Sequence, residues 1–209
     1  MIHNFIKLTE LTNIIFLDFD GVLNHQEFYD KIKGKPSSDE FGGLFDEQSI
    51  INLGNIIKIT EEKSGIPTKI VVSSSWRMGS TKDRSIQGLE YLKAMWRKRG
   101  YPGEVIDRTP YFDLATYPKM ENIESIPSSP RGVEIKWWLE RQNFHHRKYD
   151  APGFQLMYKL CKINNYVIID DDDDVLMEQK DNFVQTFADY GGLDINAMNA
   201  ALTILNRKQ

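Results

Sequence analysis

Short apolar runs that alternate with helical patterns constrain the fold of this chain more than any other feature. Five runs have the length and composition of buried strands, at residues 14–17, 70–72, 104–106, 166–169 and 183–186. Apolar side chains recur near a 3.6-residue period at residues 47–59, 86–99, 133–139 and 197–205, which predicts four helices. This alternation predicts a three-layer α/β/α fold with a central parallel sheet. In such sheets, ligands bind beyond the carboxyl ends of the strands.

The length and composition favour one domain with a sizeable core. The chain has 209 residues, of which 41% are hydrophobic. Three polar or proline-containing stretches, at about residues 24–45, 110–130 and 142–153, are predicted to be loop insertions in this single domain. No large separate cap domain is expected. Long loops in a compact domain often form lids or binding elements, so these insertions are candidates for contacts with a ligand.

Charge and cysteine content exclude several classes of protein. With 26 basic and 30 acidic residues the net charge is −4, which is not typical of a general nucleic-acid binder or a membrane-surface protein, although it is compatible with a local basic groove. The single cysteine, Cys161, excludes a disulfide within the chain. No apolar run approaches the ~18–20 residues of a membrane span, and a secretion signal is not evident. We expect a cytoplasmic protein without membrane contact and without an obligate protein partner.

Two carboxylates follow the first apolar run directly. Asp18 and Asp20 are spaced i, i+2, so on an extended chain their side chains point the same way. Two like charges at one strand end repel each other unless a cation or a substrate offsets them. Gly21 then allows the backbone to turn sharply. This pattern predicts a strand end that holds a divalent metal and performs chemistry beside it.

Polar residues also follow two of the other predicted strands. Ser73, Ser74 and Ser75 come after the run at 70–72, with Arg77 two residues further on, and such hydroxyl and guanidinium groups suit phosphate oxygens. A serine-rich turn that caps a helix is the alternative. Five aspartates, residues 170–174, follow the run at 166–169. Oxygen ligands of this kind suit Mg²⁺, and we expect Asp170 and Asp171 to bind it while the other three are solvated.

A cation for phosphate chemistry is expected at the start of the helix predicted at 133–139. Phosphoryl transfer needs positive charge near the transferring oxygens. Arg131 lies close to a helix N-terminus, which itself favours anions, and Lys136 lies one turn further in. Either residue could supply the charge, and for Lys136 a solvent-facing position is the alternative.

These four motifs together resemble those of the haloacid dehalogenase-like (HAD) hydrolase superfamily. They occur in the order of that superfamily over residues 14–190, which implies a Rossmann-like fold and phosphatase activity. Many members carry lysine in the third motif, where this chain offers arginine first. More narrowly, the sequence is similar to small phosphatase domains associated with RNA-repair proteins, on Ser74-Ser75-Trp76-Arg77, Glu134-Ile135, Trp138-Leu139 and Gly192-Leu193.

The resemblance implies a role for each motif. Asp18 would attack phosphorus and form an aspartyl-phosphate. Asp20 would protonate the leaving oxygen and then deprotonate the water that releases phosphate. Ser73 would bind the phosphoryl group, with Ser74 as a rival because the run of serines leaves the register open. Arg131, or else Lys136, would offset its charge. Mg²⁺ would be held by Asp170 and Asp171, together with Asp18 and the backbone carbonyl of Asp20.

The substrate class is open on sequence alone. The first hypothesis is a phosphatase that acts on nucleic-acid or nucleotide ends, with aromatic side chains that stack on bases. A small-metabolite phosphatase is the main alternative, and a non-catalytic domain that binds phosphorylated ligands is a third. The residues that could contact nucleic acid are Trp76, Trp96, Trp137, Tyr149, Lys93, Arg97, Lys98, Arg99, Arg141, Arg147 and Lys148.

Overall fold

The computed structural model describes residues 8–78, 88–111, 130–143 and 162–207, and within them the fold is built on a five-stranded parallel sheet. The strand order is β5-β4-β1-β6-β7, so the first strand lies at the centre. In chain order the elements are β1 (Thr12–Leu17), α1 (Gln26–Lys31), β2 (Ser38–Asp39), β3 (Gly42–Gly43), α2 (Glu47–Ser64), β4 (Thr68–Val72), α3 (Leu89–Lys98), β5 (Glu104–Arg108), α4 (Arg131–Asn143), β6 (Ile163–Asp170), β7 (Phe183–Gln185) and α5 (Ile195–Leu205).

Side chains of β1 alternate between two apolar cores, one on each face of the sheet. Ile15 and Leu17 belong to the larger core, which α2, α3 and α5 cover. Ile14 and Phe16 belong to the second core, which α4 covers through Trp138 and its neighbours. Helices therefore pack on both faces of a parallel sheet, and the predicted three-layer α/β/α fold is confirmed.

The predicted strands and helices are present with shifted ends. The helix predicted at 47–59 extends to Ser64, and one of its apolar residues, Ile51, is exposed. The helix predicted at 133–139 is α4, which begins two residues earlier at Arg131, directly after Pro130. This shift matters for the site because it places Arg131 in the first turn of the helix.

The stretch at 24–45, predicted to be a loop, instead contains α1 and a hairpin formed by β2 and β3. The side chain of His25 caps α1 by accepting the backbone N–H of Phe28 at 3.4 Å. The hairpin is tied to the end of α3 by an ion pair between Asp39 and Arg99 at 2.7 Å. These elements are too short to show a period, and contacts with other parts of the chain stabilise them, so the sequence pattern did not reveal them.

Two other predicted insertions, at 110–130 and 142–153, lie mostly outside the described residues, and Cys161 lies outside them entirely. The predictions for these segments and for a single domain without a large cap stay predictions. None of the helices in the described ranges is both long and apolar enough to cross a membrane.

Candidate active site

Three neighbouring strands end side by side at the carboxyl edge of the sheet. Leu17, the last residue of β1, is in register with Val72 at the end of β4 and with Ile169 in β6. The residues that follow these positions therefore come together, as the motifs predicted. They form the centre of the candidate site: Asp18, Ser73, Ser74 and Asp170.

Two carboxyl groups, those of Asp18 and Asp170, are buried at this centre. Within the described part of the chain, Oδ1 of Asp18 and Oδ2 of Asp170 accept no hydrogen bond. Burial raises the pKa of Asp18 to about 7, against the opposing effects of Arg131 and the Ser74 hydroxyl. Burial, and then the charge of Asp18, raise the pKa of Asp170 to about 8. A buried pair of this kind needs a cation before both groups ionise readily.

Asp171 completes a cluster that suits a divalent cation. One carboxylate oxygen from each of Asp18, Asp170 and Asp171 lies within 4.8 Å of the others. Three oxygen donors, two of them with unsatisfied buried atoms, fit the ligand preference of Mg²⁺. Gly21 makes room for this arrangement: its φ is +75°, and a Cβ atom there would lie 2.3 Å from Cγ of Asp171. Participation of the Asp20 backbone carbonyl stays a prediction.

Arg131 is the basic side chain that lies against the two buried carboxyls. Its NH2 atom is 3.9 Å from Oδ1 of Asp18, and its Nε atom is 3.3 Å from Oδ2 of Asp170. Burial alone would lower the pKa of Arg131, but the surrounding carboxylates outweigh this effect and raise it. Arg131 therefore remains a fixed positive charge in the site.

Lys136, the other candidate base, lies elsewhere. Its Nζ atom is 2.6 Å from Oε1 of Glu178, and both side chains are exposed. The structure thus brings Arg131, and not Lys136, to the aspartate cluster. This matches the alternative of a solvent-facing lysine on an amphipathic helix.

The two serines after β4 point to different neighbours. The Ser74 hydroxyl lies close enough to the Asp18 carboxyl to lower its pKa. The Ser73 hydroxyl instead accepts a long hydrogen bond of 3.5 Å from Thr109, after β5. Of the two candidates for contact with a phosphoryl group, Ser74 is the one whose side chain lowers the pKa of Asp18.

Arg77, predicted to bind phosphate, is engaged in a buried ion pair. Its NH2 atom is 2.7 Å from Oε2 of Glu134, with side chains only 4% and 2% exposed, and its NH1 atom donates to the Ser74 carbonyl at 3.2 Å. Burial lowers the pKa of Arg77 to about 10, although Glu134 opposes the change. The same Glu134 oxygen is 3.8 Å from NH1 of Arg131. Glu134 therefore links the two arginines, and Arg77 contacts the site through Glu134.

The start of α4 is fixed by the loop that follows β6. Oδ2 of Asp174 accepts the backbone N–H of Arg131 at 2.8 Å, and the Asp174 carbonyl accepts that of Gly132 at 3.2 Å. Gln179 donates to the Gly132 carbonyl at 2.9 Å. A Cβ atom on residue 132 would lie 2.4 Å from the backbone nitrogen of Leu176, so the two segments approach closely. Asp174, expected to be merely solvated, instead caps the helix that carries Arg131.

Asp20 occupies a different environment from Asp18. It is exposed, and each of its carboxylate oxygens accepts a hydrogen bond. Asn24 donates to Oδ1 at 2.8 Å, and the indole Nε1–H of Trp76 donates to Oδ2 at 3.0 Å. Trp76, considered above as a residue that stacks on bases, is thus bonded to a candidate catalytic residue.

Sequence reasoning missed the roles of Asn24, Glu134 and Asp174. Asn24 lies four residues after Asp20, and Glu134 lies three residues after Arg131 on a helix, which is a spacing at which side chains pair. The Glu134 spacing was a usable signal, whereas Asp20 and Asn24 flank a turn, where the helical spacing does not apply. The contact of Asp174 with residue 131 spans 43 residues of sequence, so no local sequence pattern could predict it.

The first strand of the parallel sheet ends in a buried aspartate, which lies beside a second acidic strand end and a fixed arginine. This arrangement is that of a hydrolase domain of the HAD class. The model of one family, described as the HAD domain in Swiss Army Knife RNA repair proteins, matches residues 14–194, and the chain belongs to this family. This match confirms the resemblance found in the sequence, both to the HAD superfamily and to the domains associated with RNA-repair proteins. No significant match is found among curated proteins or among solved structures.

Proposed function

We propose that this domain is a Mg²⁺-dependent phosphatase that hydrolyses phosphomonoesters through an aspartyl-phosphate on Asp18. One observation carries the proposal: the Asp18 carboxyl is buried with an unsatisfied oxygen, and Arg131 lies 3.9 Å from that oxygen. A carboxylate held in this way is poised to attack phosphorus, because water does not solvate it and a cation faces the same space. Membership of the HAD family supports this chemistry.

In the first half of the reaction, an oxygen of Asp18 forms a bond to phosphorus while the bond from phosphorus to the leaving oxygen breaks. Asp20 transfers its proton to that leaving oxygen and becomes a carboxylate. Arg131 offsets the negative charge of the phosphoryl oxygens, and the Ser74 hydroxyl is placed to donate to one of them.

In the second half, the Asp20 carboxylate takes a proton from a water molecule whose oxygen attacks phosphorus. The bond between Asp18 and phosphorus breaks, inorganic phosphate leaves, and both aspartates return to their starting forms. Asp18 and Asp20 can divide these roles because one is buried and the other is exposed to water and substrate.

Mg²⁺ fits the cluster formed by Asp18, Asp170 and Asp171, and hydrolases of this superfamily generally use it. When bound, it would neutralise the carboxylates and the phosphoryl group, so that one anion can approach another.

For the substrate, we propose phosphorylated nucleic-acid ends. The description of the family, which refers to RNA repair proteins, supports this class. Phe187 and Tyr190, just beyond β7 at the carboxyl edge of the sheet, offer a second argument. Their rings are stacked 5.9 Å apart and are 57% and 64% exposed, so a nucleobase could cover the pair.

A small-metabolite phosphatase is the second candidate, and the described basic side chains favour it. Lys93, Lys98 and Arg99, considered as nucleic-acid contacts, each lie within 4 Å of an acidic partner. The aromatic candidates are also engaged, because Trp96 is buried and Trp137 lies 4.2 Å below the guanidinium of Arg141. These side chains therefore offer less free positive charge than their number indicates.

The decisive experiment measures phosphate release from four substrates, with Mg²⁺ and with a chelator. The substrates are a 3′-phosphorylated oligonucleotide, a 5′-phosphorylated one, a mononucleotide and p-nitrophenyl phosphate. We expect Mg²⁺-dependent turnover of all four and the highest kcat/KM with one oligonucleotide. Equal, low rates would instead favour the small-metabolite reading.

Two variants give this experiment its controls. Asp18→Asn removes the nucleophile and should lower kcat by about 10³-fold or more. Asp173→Asn changes an exposed aspartate in the same acidic run and should leave kcat within about twofold. Unchanged activity in Asp18→Asn would rule out the covalent route.

A further inference from the structure

The Asp20 carboxyl is exposed, yet both of its oxygens accept hydrogen bonds, from side chains in two different turns. Asn24, in the turn after β1, donates to Oδ1 at 2.8 Å. The indole of Trp76, in the turn after β4, donates to Oδ2 at 3.0 Å. A carboxyl group has about four lone-pair positions, so two remain, and one of them can carry the proton that Asp20 transfers while the plane of the group is fixed.

The indole of Trp76 is itself held by aromatic rings on several sides. The Phe19 ring meets it edge-on at 5.7 Å, and the Phe45 ring lies at 5.3 Å. The guanidinium of Arg99 lies 6.0 Å from the indole centroid. Gly42 approaches from the hairpin of β2 and β3, where a Cβ atom would lie 3.4 Å from the indole edge. An indole packed in this way is a rigid donor, because few rotamers are open to it.

We propose that Trp76 is a positioning residue that orients the Asp20 carboxyl for proton transfer to the leaving oxygen. The inference rests on the proposed function. In the step concerned, the Asp20 proton moves to the leaving oxygen, which keeps the electron pair of the broken bond to phosphorus, and Asp20 becomes a carboxylate. The indole N–H then donates to a full negative charge, so the hydrogen bond is stronger after the transfer than before it.

The alternative for Trp76 is a platform for a nucleobase. A flat ring used for stacking needs a free face, whereas this indole has Phe19, Phe45 and Arg99 around it. Stacking also makes no use of the indole N–H, which here is bonded to Asp20. The contacts therefore favour orientation of Asp20 over contact with a base.

The test compares wild type and Trp76→Phe on a series of phosphomonoesters that differ in the leaving alcohol. Alkyl alcohols leave only when protonated, whereas p-nitrophenolate leaves without help. Phenylalanine keeps an aromatic ring in the cluster and removes the N–H donor. We expect kcat for alkyl phosphates, including an oligonucleotide end, to fall about tenfold, and kcat for p-nitrophenyl phosphate to change by less than about twofold.

Trp96→Phe is the matched control, because it removes another indole hydrogen bond, from Nε1 to the Pro102 carbonyl at 3.0 Å, whose acceptor is not Asp20. It should change all substrates by the same factor. For Trp76→Phe, a loss that is equal across the series, or no loss, would overturn the positioning role while leaving the phosphatase proposal intact. Absence of phosphate release by the wild type from every ester would overturn both.

A second measurement does not depend on turnover. In a ¹⁵N-labelled sample, the indole N–H signal that disappears in Trp76→Phe belongs to Trp76. In Asp20→Ala that signal should shift and its proton should exchange faster with water, because the acceptor has been removed. The Trp96 signal should stay in place. If neither the position nor the exchange rate of the Trp76 signal changed in Asp20→Ala, the hydrogen bond would not form in solution, and the positioning role would be wrong.

Discussion

The two sides of α4 carry ion pairs of nearly equal length and very different surroundings. On the inner side, Glu134 lies 2.7 Å from Arg77, and the two side chains are 2% and 4% exposed. On the outer side, Lys136 lies 2.6 Å from Glu178, and these side chains are 48% and 60% exposed. Only the inner pair continues through Arg131 to the aspartate cluster. The distance alone therefore says little about what an ion pair contributes to stability or to the site, and burial decides that contribution.

The difference has a physical basis. Water and salt screen an exposed pair, so its contribution to stability is usually below about 1 kcal/mol. A buried pair gains more from mutual attraction, but each partner left alone would be a costly buried charge. The inner side of α4 is therefore sensitive to any change, whereas the outer side should tolerate substitution.

The largest contrast should appear in activity. Arg131→Ala removes the cation beside Asp18 and Asp170 and should lower kcat/KM by about 10²–10³-fold, the range for loss of a preorganised charge contact. Lys136→Ala should change kcat/KM by less than about twofold. Steady-state kinetics on one phosphomonoester with saturating Mg²⁺ would measure both. Comparable losses in the two variants would contradict the assignment of Arg131 as the site cation.

The second contrast concerns stability. Glu134→Gln leaves the buried charge of Arg77 without its partner and should lower the free energy of unfolding by about 3 kcal/mol. Glu178→Gln makes the same chemical change on the outer side and should alter it by less than about 0.5 kcal/mol. Urea unfolding followed by tryptophan fluorescence would give both values. If the two variants were equally stable, burial would not be the deciding factor.

The third prediction uses the raised pKa values on the inner side. The pKa of Asp18 is 3.8 in the unfolded chain and about 7 in the folded protein, and the pKa of Asp170 rises from 3.8 to about 8. Between about pH 4 and pH 8 the folded state therefore binds more protons than the unfolded state. Stability that is present below about pH 4 is therefore lost as pH rises to about 8 in metal-free protein. Asp18→Asn should stabilise the metal-free protein at pH 8 by on the order of 2 kcal/mol and have little effect at pH 4.

Thermal unfolding in a chelator, at both pH values, would test this dependence. Mg²⁺ added at pH 8 should stabilise wild type more than Asp18→Asn, because the variant has lost one ligand oxygen. A stability profile that rises with pH in the absence of metal would show that the two carboxyls are already ionised and paired in the folded state.

The smallest predicted effect tests how the inner side is held in place. Asp174→Ala removes the side-chain cap on the Arg131 N–H and should cost about 1 kcal/mol of stability. The same change at the exposed neighbour Asp173 is the control and should cost less than about 0.5 kcal/mol. Chemical unfolding resolves such a difference. Equal costs would mean that Asp174 is solvated, as the sequence alone suggested.

The sequence was sufficient to predict the sheet and the convergence of the acidic motifs. Apolar runs mark the strands, and the parallel arrangement brings Asp18 and Asp170 to one edge. The sequence could not choose between Arg131 and Lys136, because that choice depends on the rotation of α4 against the loop after β6. The serine register was open for a similar reason, since Ser73 and Ser74 differ only in the neighbours they meet.

Gly21 and Asp171 lie close together, although Gly21 follows β1 and Asp171 follows β6. Because any side chain at position 21 would overlap the Asp171 carboxyl, a substitution at position 21 requires that carboxyl to move. Gly21→Ala would displace that carboxyl and so change the spacing of the three carboxylates in the proposed metal site. A wider spacing fits Ca²⁺ better than the smaller Mg²⁺. In the proposed site, glycine at residue 21 would therefore favour the smaller ion, Mg²⁺, over Ca²⁺.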